Sequence, residues 1–477
     1  MSFLAQYPNF KTIQDLAKRK KIAVYLVGGF VRDTLLQRPC LDFDFAVERD
    51  AVKFARQFAK VIKGAFVLLD EGHGCGRVVK KSGSAMQTFD FADFRAKTLK
   101  GDLAHRDFTI NALAVDFKKI TPSTDIAGMT IAFRNAKRDL CTKTIRMISA
   151  KSFKEDPLRL LRAFSLRGLL SFKIEKNTLA QIKKDKNLLR TVASERIREE
   201  LFKILSAPQA PDILREMDKA GLLEEAIPQV TVMYNIPQGG YHHLDVWPHS
   251  LTVVAELENV FAQARKDEEV AAYLNEDLGG NHRRFALMKL AALLHDIGKP
   301  QTRKKEDTGR VSFHGHEHVG REIVRSIAKL LKLSTRERHM LEDMVRWHLR
   351  PGYLSNFKKP SERSIFRYFR DTKDEAASIL LLSLADQRST RGPLTTERDQ
   401  RHHEHICLSL VERYFKKKQE KPFLRLITGH DLIKKIKLEP SPLFAKILRE
   451  VEEKQALGQI ATKEEALELA RKIAYKK

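Results

Sequence analysis

The sequence predicts an α+β protein with a sheet-bearing N-terminal head and an all-helical remainder, and three observations carry that prediction. The run KIAVYLVGG reads as a buried strand closing on two glycines, and LDFDFAV alternates with a period of two. Downstream such patterns fade. EDPLRLLRAFSLRGLL, SERIREELFKILS and PDILREMDKAGLLEEA space their apolar residues as amphipathic helices between Ser, Pro and Gly breaks. The third observation is charge: 87 Lys and Arg against 61 Asp and Glu leave +26. An excess of this size points to a polyanionic partner, because each neutralised phosphate releases condensed counterions.

Composition excludes other classes. The 477 residues, 43% of them hydrophobic, hold material for about three packed domains. Cys40, Cys75, Cys141 and Cys407 are too scattered for a disulfide framework or a CxxC metal site. The N-terminus MSFLAQYPNFKTIQDLAKRKK lacks the apolar core of a signal peptide, and no apolar run approaches the ~18 residues of a membrane span. The expectation is a reduced, cytoplasmic protein that meets nucleic acid and no membrane.

Taken in order, the elements divide the chain into four expected parts. The head covers 1–145 and a helical neck 146–238. The stretch IPQGGYHHLDVWP marks a boundary near residue 240, opening a second helical domain over 239–415. KKKQEKP reads as a solvated linker before a helical tail over 421–477.

In the head, Gly28-Gly29-Phe-Val-Arg32-Asp33 closes a strand and opens a helix. Glycine there lets backbone N–H groups approach a phosphate, and the helix N-terminus adds its positive pole. Asp42 and Asp44 follow on a strand, where residues i and i+2 share a face about 6.6 Å apart. Carboxylates so placed suit divalent ions that bridge a triphosphate and activate a hydroxyl. Alone, the pair would read as solvent-facing aspartates on an edge strand. Asp90 in TFDFA would add a third carboxylate from another strand.

The order glycine pair, Asp-x-Asp, third acidic strand resembles the nucleotidyltransferase superfamily that includes DNA polymerase beta. His105-Arg106-Asp107-Phe-Thr-Ile-Asn111, Glu155-Asp156-Pro-Leu-Arg159-Leu-Leu-Arg162 and Ser-Glu195-Arg196-Ile-Arg-Glu-Glu200 then follow in sequence. Together these motifs resemble the class II tRNA nucleotidyltransferases, the bacterial CCA-adding and poly(A) polymerase family. The resemblance implies a polymerase-beta-like head with a mixed sheet, and nucleotide addition to a tRNA 3′ end without a nucleic-acid template. It implies Mg²⁺ on Asp42 and Asp44, with Gly29 and Arg32 facing the triphosphate. Arg106 and the catalytic Asp107 would contact triphosphate or sugar, and Asp156 with Arg159 would select the base. That last role, implied by the resemblance, makes physical sense for these residue types. Positions three apart on a helix share a face, and an acceptor plus a forked donor match the Watson–Crick edge of cytosine. Arg162, three further on, would meet the triphosphate. Seen alone, EDxxR would read as a salt-bridged polar face.

The chain departs from the family pattern at three places. His105 stands where an arginine pair precedes the aspartate. Asp125-Ile-Ala-Gly128 is separated from Asp139-Leu140 by a longer piece that includes IAFRNAKR. Between Arg95 and Arg106 lie only ten residues, AKTLKGDLAH, where CCA- and A-adding relatives carry a longer flexible loop that helps switch from CTP to ATP. The short segment resembles the CC-adding branch, so the expected product is two cytidines, with a separate A-adding enzyme completing the end.

In the second helical domain, His249, His295-Asp296-Ile-Gly-Lys, Phe-His-Gly-His316, Arg-Trp-His348 and Leu-Ala-Asp386 occur in order. An adjacent His-Asp pair with a distant His and Asp completes an N/O-ligand set for one divalent ion. The order resembles an HD metal-dependent phosphohydrolase domain. It implies a metal on His249, His295, Asp296 and Asp386, with His316 and His348 serving a second ion or a phosphate. A lone HD dipeptide is background, and a lone buried histidine is usually a hydrogen-bonded core residue. His314, His318 and the RHHEH run near 403 read as surface or supporting residues, and His73 as a loop residue.

The combined reading is a tRNA nucleotidyltransferase adding CC, or the full CCA, from CTP and ATP, with a second phosphohydrolase activity. Its cofactors would be Mg²⁺ in the head and an unspecified divalent metal in the HD domain. A poly(A) polymerase would share the head motifs. An HD-type RNA-end repair phosphohydrolase whose head mainly binds tRNA, or a noncatalytic RNA-binding protein, is the rival from another class.

Overall fold

The computed structural model describes residues 7–82, 85–121, 123–239, 243–307, 311–420 and 424–475. These fall into two compact units: Met1–Ile204 with Glu216–Ala226, and Leu205–Arg215 with Ile227–Lys477. Residue 240, at the expected domain boundary, and residue 421, at the expected start of the tail, lie outside the described residues.

The first unit contains one seven-stranded mixed sheet. Its strands are β1 Val24–Val27, β2 Asp42–Val47, β3 Ala65–Asp70, β4 Cys75–Ser82, β5 Ala85–Asp93, β6 Leu113–Asp116 and β7 Ile131–Ala132. They lie in the order β3-β4-β5-β2-β1-β6-β7. β2 and β5 run parallel, whereas β1 pairs antiparallel with both β2 and β6. The period-two alternation of DFDF has a packing cause. Phe43 and Phe45 turn inward and stack on Phe89 and Phe91, with ring centroids 4.9 and 4.8 Å apart. Phe10 of the helix Asn9–Lys20 closes this core edge-on, and Phe58 of the helix Ala51–Ile62 covers Phe89. Because a one-residue slip would turn these rings to solvent, the phenylalanine pairs set the register. That register places Asp42 opposite Thr88 and Asp44 opposite Asp90 on the other face.

The region 125–140 is built from capped pieces. Asp125 accepts from the N–H groups of Ala127 and Gly128, both at 3.0 Å, and starts the helix Ile126–Met129. Asp139, buried on the helix Ala136–Cys141, is held by Thr109 Oγ1 at 2.7 Å and Arg146 Nε at 3.0 Å. The EDPLRLLR stretch is not one helix, as its periodicity predicts, but two. The helix Lys151–Glu155 stops at Asp156 (φ −147°, ψ 97°), and a new one runs over Arg159–Leu170. Pro157 is the reason, since its ring disfavours helical backbone in the residue before it.

The second unit is almost entirely helical. Its centre is the helix Ala376–Ser389, buried along most of its length and packed against the helices Val246–Ala264 and Glu397–Gln419. The tail has its own small core of Ile427, Leu432, Ile436, Ile447, Val451, Ala466 and Ala470. One buried acid, Glu453, ties it to the helix Glu362–Thr372 by accepting from Arg363 and from Arg367 at 2.7 and 3.0 Å. Among the described residues no helix is long and apolar enough to cross a membrane.

Candidate functional site

The head site is assembled at the edge where β1 ends and β2 begins. Gly28 sits there at φ +72°, and a Cβ on it would stand 3.0 Å from Arg106 Nη1 and 3.3 Å from Asp44 Oδ2. The backbone conformation therefore favours glycine, and a side chain would press on both charged groups. Gly28 is thus the glycine that abuts the charged cluster, while Gly29 begins the following helix. Asp42 is exposed and accepts from Thr88 Oγ1. Burial, with Asp90 and Asp42 adding to it, pushes the Asp44 carboxyl up to about 6 against the pull of Arg106 and Arg162. A crowded carboxylate set of this kind suits a divalent cation. Asp90 joins the cluster, but Arg77 grips both its oxygens, at 2.8 and 2.7 Å. Arg77 was not singled out by its sequence, because only the β4–β5 register brings it to Asp90.

Arg32, expected to face the triphosphate, has its guanidinium engaged by neighbouring side chains. It is buried, pairs with both oxygens of Asp33 at 2.9 and 2.8 Å, and donates to Asn111 Oδ1 at 2.6 Å. Asn111 in turn donates to Asp107 Oδ1 at 3.0 Å, and Asp107 pairs with Arg162 Nε at 2.9 Å. Burial would raise the Asp107 carboxyl, but Arg162, Asn111 and the Phe108 N–H hold it below its ordinary value. Arg32, Asp107 and Arg162 thus form one polar chain that braces the site. Arg106 stays nearer the aspartates, with its Nη2 at 3.4 Å from Asp102 Oδ2.

Asp156 and Arg159 are brought near each other by the Pro157 junction rather than by a shared helix face. Asp156 accepts from the Leu158 N–H at 3.3 Å and pairs with Arg196 Nη2 at 3.0 Å. Arg159 donates to the carbonyls of His105 at 2.8 Å and Ser152 at 3.2 Å. Arg196 lies in the third motif of the sequence, yet only the fold pairs it with Asp156. The segment between Arg95 and Arg106 is closed. Thr98 caps the helix Leu99–Ala104, and buried Asp102 accepts from the Arg95 N–H at 3.2 Å. His105 Nδ1 stands 3.2 Å from Glu155 Oε1.

The second unit gathers all six expected metal-site residues. His249, His295 and Asp386 form one group and Asp296, His316 and His348 another, with ligand atoms within 4.8 Å of one another in each. Asp296 joins them: its Oδ2 is 3.2 Å from His295 Nε2 and its Oδ1 3.2 Å from His316 Nε2. His249 Nε2 reaches Asp386 Oδ1 at 3.0 Å. The Nδ1 atoms of His295, His316 and His348 each meet a backbone carbonyl at 2.8 Å, those of Ala292, Phe313 and Val345. Those bonds leave each Nε2 directed inward as a ligand. Burial, with His316 and His295 adding to it, holds His348 down to about 3, so its imidazole is neutral. Burial opposes charge on His295 too, but Asp296 and Asp386 push it up to about 10. A buried set of imidazoles and carboxylates fits one or two divalent ions.

Two features here went unread in the sequence. A Cβ on Gly298 would stand 2.1 Å from the His316 carbonyl, so this glycine lets the HDIGK turn touch the start of the helix His316–Leu330. Lys299 Nζ lies 2.6 Å from Asp296 Oδ2 and donates to Gln238 Oε1 at 2.6 Å. Of the remaining histidines, His403 is buried and bonded to Ser355 and Ser383, the supporting rather than the surface one of the two positions expected of its run. His73 pairs with Asp70 at 2.8 Å.

Comparison with known proteins finds four family matches along the chain. The family described as poly A polymerase head domain matches residues 24–146, and the one described as "probable RNA and SrmB-binding site of polymerase A" matches 171–233. The HD domain matches 268–391, and tRNA nucleotidyltransferase domain 2 matches 418–470. The chain is 32% identical over 450 residues to an A-adding tRNA nucleotidyltransferase of Deinococcus radiodurans, covering 92% of this chain and 93% of that one. It is 29% identical over 448 residues to a CC-adding tRNA nucleotidyltransferase of Thermus thermophilus, covering 92% and 91%. The fold is shared with the Thermotoga maritima CCA-adding enzyme solved with tRNA, at a TM-score of 0.60 and 22% identity over 97% of this chain and 93% of that one.

Proposed function

The chain belongs to the class II tRNA nucleotidyltransferases that carry an HD domain, and from that premise we propose that it extends tRNA 3′ ends by two cytidines from CTP. The observation that carries the CC assignment is the closed segment between Arg95 and Arg106: ten residues, six of them a capped helix, with Asp102 buried against Arg95 and Arg106. Nothing in it has the length of a loop that would reshape the pocket for ATP. A second enzyme would supply the terminal adenosine.

In this reading Asp42 and Asp44 hold Mg²⁺, which supplies charge neutralisation for the triphosphate when bound. Asp90 stands ready beside them, and Arg106 and the Gly28–Gly29 turn meet the phosphates. The tRNA 3′ hydroxyl attacks the α-phosphate in line and pyrophosphate leaves. Asp156 and Arg159 read the base. Arg32, Asp107 and Arg162 act by holding this surface in place. The four parts keep the bounds 1–145, 146–238, 239–415 and 421–477.

In the HD domain, His249, His295, Asp296 and Asp386 would hold one divalent ion, and His316 and His348 a second ion or the phosphate. A bound ion there supplies Lewis acidity toward a phosphate ester. Lys299 keeps the Asp296 carboxylate oriented between the two groups.

A second reading, addition of the terminal adenosine alone, draws support from the 32% identity to an A-adding relative. Two tRNAs, one lacking CCA and one ending in CC, incubated with CTP, ATP or both and then sequenced, separate the readings. Two cytidines on the first and little change on the second are expected. Adenosine added only to the second establishes the A-adding reading, and efficient CCA ends overturn CC-only addition.

A further inference from the structure

Three strands lay a row of charge across the head. Asp44 of β2 is opposite Asp90 of β5, and Asp90 is opposite Arg77 of β4. Residues directly opposite in neighbouring strands project from one face, about 4.8 Å apart. Arg77 therefore lies on the Asp44 face, two strands away. Its fork spends Nε and Nη2 on Asp90, at 2.8 and 2.7 Å. Nη1 meets no acceptor among the described residues, and the side chain is 41% exposed against 22% for Asp90. Asp90 raises the guanidinium above its ordinary value against burial, and Asp42 and Asp44 add to it. The other flank of Asp44 is β1. There Val27 pairs with Asp44, and a Cβ on the next residue, Gly28, would stand 3.0 Å from Arg106 Nη1. Asp44 thus has an arginine on each side, Arg106 toward β1 and Arg77 toward β4.

The two flanks cannot serve the same group, because the attacking and leaving oxygens lie on opposite sides of the α-phosphorus. With the triphosphate on Gly28–Gly29 and Arg106, pyrophosphate leaves toward β1, and the 3′ hydroxyl must arrive over β5 and β4. We propose that Arg77 binds the last phosphodiester of the tRNA through Nη1, and that Asp90 is the positioning residue that aims it. As the 3′ oxygen bonds the α-phosphorus, the bond to the bridging oxygen of pyrophosphate breaks and the hydroxyl proton passes to water. A phosphate gripped on that flank fixes the line of approach whichever base ends the tRNA. The proposal rests on the assignment of the triphosphate to the Gly28–Gly29 turn and Arg106.

Single-nucleotide addition by the full chain tests it, with CTP and a tRNA lacking CCA, or with ATP and a tRNA ending in CC if that is the pair used. Arg77→Ala should raise the KM for tRNA about tenfold, the weight of one charge-assisted hydrogen bond, and leave the KM for the nucleotide near wild type. Arg77→Lys should recover part of the loss. A tRNA whose last linkage is a neutral methylphosphonate should cost the wild type the same factor and cost Arg77→Ala nothing further. Damaged packing alone would leave both proteins equally sensitive to the neutral linkage, and that result overturns the proposal. So does an unchanged tRNA KM in Arg77→Ala. Should that variant not fold, a wild type indifferent to the neutral linkage overturns it instead. Arg106→Ala reads the premise and should raise the KM for the nucleotide alone. If Arg106→Ala acts on tRNA and Arg77→Ala on the nucleotide, the flanks are exchanged, and the triphosphate assignment falls together with the proposal. If Arg106→Ala acts on the nucleotide and Arg77→Ala on neither substrate, the proposal alone falls.

Discussion

Asp44 stands directly opposite Asp90 across the parallel pair β2–β5, and Arg77 already holds both Asp90 oxygens, at 2.8 and 2.7 Å. In the proposed reading Asp42 and Asp44 face the cation, while Arg77 keeps the third acid engaged. Asp42→Asn or Asp44→Asn should lower CTP incorporation at least about a hundredfold. Thermal unfolding and tRNA affinity should stay near wild type, because both side chains face away from the phenylalanine core. Near-normal incorporation by either variant would relocate the active site.

Asp156→Ala should change which nucleotide is chosen before it changes whether chemistry occurs. The lost hydrogen bonds are worth about 1–3 kcal/mol of discrimination. Arg196→Ala, removing the partner 3.0 Å from Asp156, should move the same preference by less. Competition among CTP, UTP and ATP reads both, and an unaltered preference in both variants would argue against a protein template at this junction.

The two chemistries should part cleanly, because the head aspartates belong to one compact unit and the histidine set to the other. His295→Ala with Asp296→Ala should abolish phosphate-ester hydrolysis and spare CTP addition. Loss of both activities in a folded protein would contradict independence. Cyclic-phosphate hydrolysis that survives Asp42→Asn in a protein unable to add CTP even as wild type would favour the repair enzyme.

Gly298→Ala should act on the HD domain alone. The added methyl would overlap the His316 carbonyl, and overpacking of this kind costs about 1–3 kcal/mol. Calorimetry should show a lowered transition, accompanied by weakened phosphohydrolase activity. A wild-type transition would show that the turn has room the geometry denies.

Acid should loosen the tail. Burial raises the Glu453 carboxyl, but Arg367 and Arg363 outweigh it and hold it below its ordinary value. A carboxyl depressed in the folded state contributes stability above its unfolded pKa and loses that contribution as pH falls through the folded one. Protease cleavage between 420 and 475 should therefore accelerate below about pH 4. Glu453→Gln should produce the same cleavage at neutral pH, and a resistant variant would show that the small apolar core docks the tail unaided.

A strand-bearing head and a helical body were legible from local pattern, DFDF alternation and helical spacing, whereas the mixed sheet and the two clusters were legible only through the resemblance that the ordered motifs carry. What escaped was set by distant partners. Nothing near Arg77 in the chain announces that β4 will lay it against Asp90, and nothing near Arg32 announces that Asn111 will draw it inward. Asp156 is the instructive case. Its break was written beside it in Pro157, but the spacing of the surrounding leucines argued for one continuous helix, and the proline won.

The buried carboxylate of Asp102 has an engineering consequence. It fastens both ends of its segment at once, taking the Arg95 N–H on one side and Arg106 on the other. A few residues spliced in between would pull one fastening loose without creating a usable arm. Conversion of the product range by transplantation would thus require exchanging the whole span from Arg95 to Arg106 as a cassette. Intermediate lengths should be poorer donors than either parent.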